Sequence, residues 1–322
     1  MEDGATLIEA SDLDGLIRLI DGLVTSRDWP GIVTLRDRCI EAVERGKQLW
    51  GIAQFAEYRL ALDAPASFAG TVVKEGAGRF ALGPLWEVAA STHTWEELEG
   101  EIDDRRLRTL VAHERVLRGD AVTGADIDSH VLELPIGIQP WEPRYSLAAY
   151  RSDRADFPEG DRPGLAWIEL GEPVAKETED DALEALAVLT QPWSEQSNGR
   201  TVGVTVVGDP YAAIRTLGPH RVRAAEVDLK TALEVMAWTG ASGGAYGRRR
   251  GSPVGRMLAW WALAALLGYD DIDDPEALGE EGASLQWVLW EPGDRIGGWG
   301  FHLAVADPDD GLAWAVSTAD AV

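Results

Sequence analysis

Residues 11–118 carry apolar side chains at the spacing of amphipathic helices. After Ser11, which can cap a helix, large apolar residues recur on one helical face at positions 13, 16, 17, 20, 23 and 24. Similar patterns predict helices opened by Pro30, over 49–62, from Pro84, over 96–102 and over 107–117. Short helices in succession favour antiparallel hairpins like those of TPR or HEAT repeats, although no repeat period is found and a solenoid is only one option. We expect a helical interaction domain over residues 1–122.

Beyond residue 122 the pattern changes to an alternation of strands and helices. Strands are expected at 131–136, 165–170, 201–207, 221–227, 285–290 and 299–306. Helices are expected at 180–189, 211–217, 229–238, 253–267 and, from Asp309 or Asp310, through Ala315. This mixture predicts an α+β domain over residues 123–322 with a small mixed or antiparallel sheet. The whole chain is therefore expected to have an α+β fold.

The segment 253–267 is apolar on nearly every face, which predicts a helix buried in the C-terminal core. Trp261→Ala is accordingly expected to cost about 3–5 kcal/mol of stability. The longest strongly apolar run of the chain, Met257–Leu267, is 11 residues long, whereas a membrane span needs about 20. Because Glu2 and Asp3 precede any apolar stretch, no secretory signal is expected, and the protein is expected to be cytoplasmic.

Charge is strongly negative and unevenly distributed. The 322 residues carry 55 carboxylates against 29 lysines and arginines, a formal net charge of −26. Residues 210–269 run against this trend with eight cations and three carboxylates, and no carboxylate occurs between Val235 and Tyr269. The acidic remainder disfavours nucleic acid and anionic membranes as partners and is compatible with a basic protein partner, although solubility alone explains much of it.

Most motifs that carry chemistry are absent. The sequence contains no GxGxxG fingerprint, GxxxxGK[ST] phosphate loop, HExxH zinc motif or GxSxG elbow. The five histidines share no metal-ligand spacing. The single cysteine, Cys39, lies mid-helix among apolar neighbours, which is typical of an inert core thiol and excludes an intrachain disulfide. No catalytic residue, metal or cofactor is therefore predicted.

Gly243–Gly251, the arginine loop, is the strongest candidate site. Four glycines permit close backbone approach, and Arg248, Arg249 and Arg250 supply forked donors. The following helix, which contains Arg256, adds free N–H groups at its N-terminus, so the segment is a candidate for holding a phosphate or carboxylate. The competing interpretation is that these arginines pair with the chain's own carboxylates, for example within Asp270–Asp274.

Pro192–Arg200, the tryptophan loop, is a second candidate. Trp193 is expected to anchor it, while Gln196, Asn198 and Arg200 are able to hydrogen-bond a ligand, although turn formation alone explains Ser-Asn-Gly. Two further clusters favour structural interpretations. Thr94 and Glu97 have the spacing of a capping box, and the His113-Glu114-Arg115 run with Arg118 favours ordinary pairing on a helix surface.

Four runs resemble an uncharacterised actinobacterial family known only as a domain of unknown function. They are Ala89–Trp95, Ala112–Val116, Pro192–Arg200 and Gly243–Gly251. The resemblance spans most of the chain and implies a bacterial, cytosolic protein. It implies no activity, cofactor or catalytic residue.

Two functional hypotheses follow. The first is a non-enzymatic adaptor that binds another protein through its helical half, with a basic protein as one candidate class of partner. The alternative is an enzyme or sensor that binds a phosphorylated small molecule or nucleotide through Arg248, Arg249, Arg250 and Arg256, with Trp193, Asn198 and Arg200 nearby.

Overall fold

The computed structural model describes residues 4–78, 81–172, 176–293 and 297–320. It divides the chain into two compact units. The helical unit comprises residues 1–131 and 148–157, and the sheet unit comprises residues 132–147 and 158–322. No helix of the described residues is long and apolar enough to cross a membrane.

The helical unit contains eight helices and one small strand pair among its described residues. The helices are α1 Gly4–Ala10, α2 Leu13–Thr25, α3 Trp29–Glu44, α4 Trp50–Asp63, α5 Ala66–Val72, α6 Leu85–Thr92, α7 Trp95–Leu98 and α8 Arg105–Leu117. Strands β1 Ala149–Tyr150 and β2 Ala155–Asp156 pair antiparallel. The capping box is confirmed, since Thr94 and Glu97 bond reciprocally at the start of α7. The cap of α2 is Asp12 rather than Ser11, because the Asp12 side chain accepts the Gly15 N–H.

Helix α4 lies at the centre of the helical unit and packs against α2, α3, α5 and α6. It is buried on nearly all sides from Ile52 to Leu62. Even its basic residue, Arg59, is buried, and it forms ion pairs with Asp21 and Asp63. The neighbouring helices therefore each cover one side of α4.

The sheet unit is built on one antiparallel sheet of seven described strands in the order β3-β6-β7-β8-β9-β5-β4. The strands are β3 Ala166–Glu169, β4 Lys176–Thr178, β5 Arg200–Val207, β6 Arg221–Val227, β7 Gln286–Pro292, β8 Trp299–Asp307 and β9 Leu312–Asp320. The helices are α9 Ala182–Val188, α10 Gln191–Glu195, α11 Pro210–Thr216, α12 Leu229–Ala241, α13 Ser252–Leu266 and α14 Pro275–Gly282. The α+β fold class is confirmed.

The two faces of the sheet pack against different helices. On one face Ala213 and Ile214 of α11 pack with Val206, Val288 and Ala304 in a single core cluster. Residues of both β3 and β5 join this cluster, so the sheet curls around α11. Helices α9, α10 and α12 pack on the strands at the other face, and α13 packs along α12. Because neighbouring side chains alternate between faces, residues one position apart on a strand meet different helices.

Two predicted elements are wrong. Residues 131–136 form turns and bends rather than a strand, and Glu133 has a positive φ of 54°. The predicted helix through Ala315 is strand β9. Asp309 and Asp310 donate their N–H groups to the Asp307 side chain, and Gly311 adopts a φ of +67°, so these residues make the turn between β8 and β9. Polar residues interpreted as a helix cap are thus hairpin residues.

The apolar helix 253–267 is α13, one residue earlier than predicted. Its fully buried tryptophan is Trp260, whereas Trp261 is half-buried. Truncation of Trp260 to alanine should therefore lower the free energy of unfolding more than truncation of Trp261. The prediction for Trp261 is wrong by one position on the helix.

Candidate functional site

The arginine loop and the tryptophan loop lie against each other in the sheet unit. The Tyr246 N–H donates to Ser197 Oγ at 3.2 Å, and the Arg248 N–H donates to Gln196 Oε1 at 3.3 Å. A Cβ atom added at Gly247 would lie 3.2 Å from the Pro192 carbonyl oxygen, so the backbones approach closely. We call this contact the loop junction.

Two buried side chains, Asp320 and Trp193, pack against the arginine loop at the loop junction. Asp320 and Trp193 are both fully buried, and Asp320 Oδ2 accepts the Ala245 N–H at 2.7 Å. A Cβ at Gly244 would lie 2.3 Å from Asp320 Oδ2 and 3.0 Å from the Trp193 ring, and Gly244 has a φ of +72°. Glycine is therefore required at this position for both space and backbone conformation.

Five backbone N–H groups of the arginine loop are bonded within the described protein. The N–H of Gly244 donates to Ser242 Oγ, that of Ala245 to Asp320 and that of Arg250 to the Ala241 carbonyl. Those of Tyr246 and Arg248 are bonded to the tryptophan loop. These bonds anchor the loop to its surroundings, and its guanidinium groups supply further donors.

In the part of the chain that the structure describes, Arg248 and Arg250, like Arg144 and Arg200, lack the ion pairs that several other arginines of the sheet unit form. Within the described chain, no carboxylate lies in ion-pair distance of the Arg248 or Arg250 guanidinium group. Arg248 is exposed, while Arg250 is half-buried, and burial lowers the pKa of Arg250 against the opposing charge of Glu195. Arg249 instead donates to Ser252 Oγ at 3.1 Å. Among the described residues, the arginines of this unit that form ion pairs include Arg162, Arg215, Arg221, Arg223 and Arg256.

Arg256 does not belong to the loop junction. It is 1 % exposed and forms a two-pronged ion pair with buried Glu142, at 2.7 and 2.8 Å. Its remaining N–H groups donate to the carbonyls of Pro135 and Gly137 at 3.0 Å. The expectation that Arg256 binds an external anion is therefore wrong, because its hydrogen-bonding capacity is used inside the core. Its partner is also not one of Asp270–Asp274.

The predicted residues of the tryptophan loop fall in three different places. Trp193 is the buried anchor that the sequence predicts. Asn198 is exposed on the loop. Arg200 is exposed at the start of β5 opposite Ala319, so its side chain points to the face of the sheet opposite Asp320. The loops therefore meet, but Arg200 points away from the face on which Asp320 supports the arginine loop.

A cavity of about 390 Å³ adjoins the tryptophan anchor. The Trp193 ring meets Trp299 edge-on at 6.1 Å, and Trp299 lines the cavity with Arg162 and His302. His302 Nδ1 lies 2.9 Å from Ser317 Oγ. Burial and the charge of Arg162 lower the pKa of His302 to about 4, so the imidazole is neutral at physiological pH. Arg248 and Arg250 are not among the lining residues of this cavity.

The sequence analysis missed several buried ionisable groups of the helical unit, because it placed the His113–Arg118 cluster on a helix surface. Glu114 is fully buried and His113 is 3 % exposed, and Glu114 Oε1 accepts from Arg118 Nε at 2.9 Å. Glu87 on α6 is also fully buried and accepts the Tyr150 hydroxyl at 2.6 Å. The available signal was spacing, since residues 113 and 114 lie three and four positions after buried Leu110. Among the described residues no cluster of His, Cys, Asp and Glu suits a metal ion.

Comparison with known proteins identifies the family of the chain. No curated protein and no solved structure matches it. One family model matches residues 14–320, a stretch that includes both loops, and its family has no assigned function. The resemblance to a domain of unknown function is thus confirmed, while the actinobacterial origin stays an expectation. The chain belongs to DUF6183, a family of unknown function.

Proposed function

We propose that the sheet unit binds a phosphate-bearing small molecule through the side chains of Arg248 and Arg250 at the loop junction. One observation carries the proposal. These two guanidinium groups stand together on one hydrogen-bonded loop without a described carboxylate partner, in a chain that has 55 carboxylates and pairs several other arginines of the same unit. Arg144 and Arg200 also lack a described ion pair, but neither lies on the arginine loop. A phosphate oxygen is the natural acceptor for such forked donors.

The partial burial of Arg250 supports the same proposal. A cation that loses water without gaining an anion is destabilised, and the lowered pKa of Arg250 reflects that loss. Glu195 offsets it only from beyond ion-pair distance. A bound phosphate group supplies the missing negative charge and accepts the hydrogen bonds that Arg250 no longer donates to water. The interaction is strongest where the guanidinium is least hydrated.

Calorimetric titration with ribose 5-phosphate tests the proposal. We expect Arg248→Ala and Arg250→Ala each to weaken binding about tenfold or more, because a hydrogen bond to a charged group contributes about 1.5–3 kcal/mol. Arg144→Ala is the matched control, since Arg144 is an exposed arginine of the same unit outside both loops. A wild type that binds neither ribose 5-phosphate nor a ribonucleoside monophosphate, or equal losses in all three variants, would contradict the proposal.

A second candidate function is recognition of a basic protein segment along a groove around α11. Three cavities of about 590, 410 and 540 Å³ lie close to one another, since the second shares lining residues with each of the other two. Asp209 and Tyr211 line the first two, and Glu226 lines the second and third. Within the described chain neither Asp209, Glu226 nor Asp161 of the third cavity has a cation in ion-pair distance. The expectation that the helical unit supplies an interaction surface stays a prediction.

Fluorescence anisotropy with a labelled lysine- and arginine-rich peptide tests the groove. Glu226→Lys is expected to weaken binding at 0.15 M salt, since a cation is then set against the cationic peptide at close range. Glu184→Lys makes the same change of net charge on α9, which packs on the strands away from α11. Equal weakening by both substitutions would indicate a general charge effect and eliminate the groove.

A further inference from the structure

An exposed aromatic ring stands two residues before Arg248 on the arginine loop. Tyr246 is 60 % exposed, more than any other large hydrophobic side chain among the described residues. Among the residues that the structure describes, no aromatic ring or cation contacts the Tyr246 ring, and no hydrogen-bond partner lies at its hydroxyl. No aromatic, cation or hydroxyl contact among the described residues therefore accounts for an aromatic residue at this position.

The backbone that carries this ring is fixed on both sides. The Tyr246 N–H is held by Ser197, the preceding N–H by buried Asp320 and the Arg248 N–H by Gln196. Gly243 and Gly247 approach so closely that a Cβ at Gly247 would lie 2.2 Å from the Gly243 carbonyl oxygen. A ring on a preformed loop loses little conformational entropy on binding, as in aromatic anchors of recognition surfaces.

The ring and the guanidinium groups together restrict the ligand. Two residues of chain span at most about 7 Å, so a single small molecule is able to contact Tyr246 and Arg248 at once. A sugar phosphate or inorganic phosphate uses only the charge and leaves the ring in water. A ligand that uses both carries a planar ring at one end and a phosphate at the other.

We propose that the ligand of the loop junction is a mononucleotide whose base stacks on Tyr246 and whose phosphate is held by Arg248 and Arg250. This inference rests on the proposed function. Stacking on an aromatic face is available to every base, whereas the phosphate supplies orientation. The net charge of −26 repels a nucleic-acid polymer at long range, while a mononucleotide brings only its own phosphate charge.

The experiment is calorimetric titration of the full chain with the four ribonucleoside monophosphates and with ribose 5-phosphate. At least one nucleotide is expected to bind about 5- to 150-fold more tightly than ribose 5-phosphate, the range that base stacking supplies. Tyr246→Ala is expected to bring nucleotide affinity down to that of ribose 5-phosphate and to leave the latter unchanged. Tyr246→Phe keeps the aromatic face and is expected to retain tight binding.

The outcomes separate the two proposals. If ribose 5-phosphate binds and no nucleotide binds more tightly, the nucleotide inference fails while phosphate binding stands. Equal nucleotide affinity in the wild type and Tyr246→Ala overturns the inference as well. If neither ribose 5-phosphate nor any nucleotide binds to the wild type, the proposed function itself fails. Because Tyr246 is mostly exposed, its variants should keep the wild-type melting temperature, which confirms that they are folded.

Discussion

Trp260→Ala is expected to lower the free energy of unfolding by about 3–5 kcal/mol, as for other fully buried tryptophans replaced by alanine. The side chain is 0 % exposed, and its ring lies 4.6 Å from that of Trp141. Its Nε1–H donates to Glu142 Oε2 at 3.0 Å. The substitution therefore leaves a cavity and removes one hydrogen bond from a buried carboxylate. Urea denaturation followed by circular dichroism measures the effect.

Trp261→Ala is the matched control, one residue further along the same helix. Trp261 is half-buried, so its truncation is expected to cost about 1–2 kcal/mol, in proportion to the apolar area that it withdraws from water. Equal destabilisation by the two substitutions would contradict the assignment of Trp260 to the centre of the core.

The local elements of this fold could largely be predicted from the sequence, because periodicity and turn residues act over a few positions. Strands β5, β6 and β8 and helix α13 lie within one or two residues of their predicted bounds. Strand β9 was mistaken for a helix because aspartates that cap helices also suit a hairpin turn. What distinguishes the two is Gly311, whose positive φ closes the turn onto β8.

The candidate site could be predicted only in part, because its contacts join distant positions. Both loops were identified from composition, yet Gln196 and Arg248 are 52 positions apart, and Ala245 and Asp320 are 75 apart. Local sequence pattern also could not distinguish buried Arg256 from the arginines of the nearby arginine loop. The partner of Arg256, Glu142, lies 114 positions earlier, in a segment for which no helix or strand was predicted. Pairing over such separations depends on the assembled fold rather than on local pattern.

Arg256→Met is expected to destabilise the protein by about 3–5 kcal/mol, because it leaves the buried Glu142 carboxylate without its counter-charge. Arg221→Met is the matched control, since the Arg221–Glu169 pair is exposed and such pairs contribute about 0–1 kcal/mol. Combining Arg256→Met with Glu142→Leu should recover part of the loss by removing the buried charge. Recovery remains incomplete because the Tyr145 hydroxyl and the Trp260 indole both lose their acceptor.

The difference in stability between the wild type and Arg256→Met is expected to shrink as the pH falls. Burial alone would raise the pKa of Glu142, but the hydrogen bonds and charge of Arg256, helped by Gln139 and Tyr145, outweigh it and lower the pKa. The contribution of a carboxylate with a lowered pKa is present above the ordinary value of about 4.5 and is lost as the pH falls through the folded-state value. In Arg256→Met burial acts without opposition from the guanidinium, so acid protonates Glu142 and relieves its buried charge. Urea denaturation at pH 7 and pH 4 measures both differences, and an unchanged difference would show that Glu142 is not the group whose charge Arg256 stabilises.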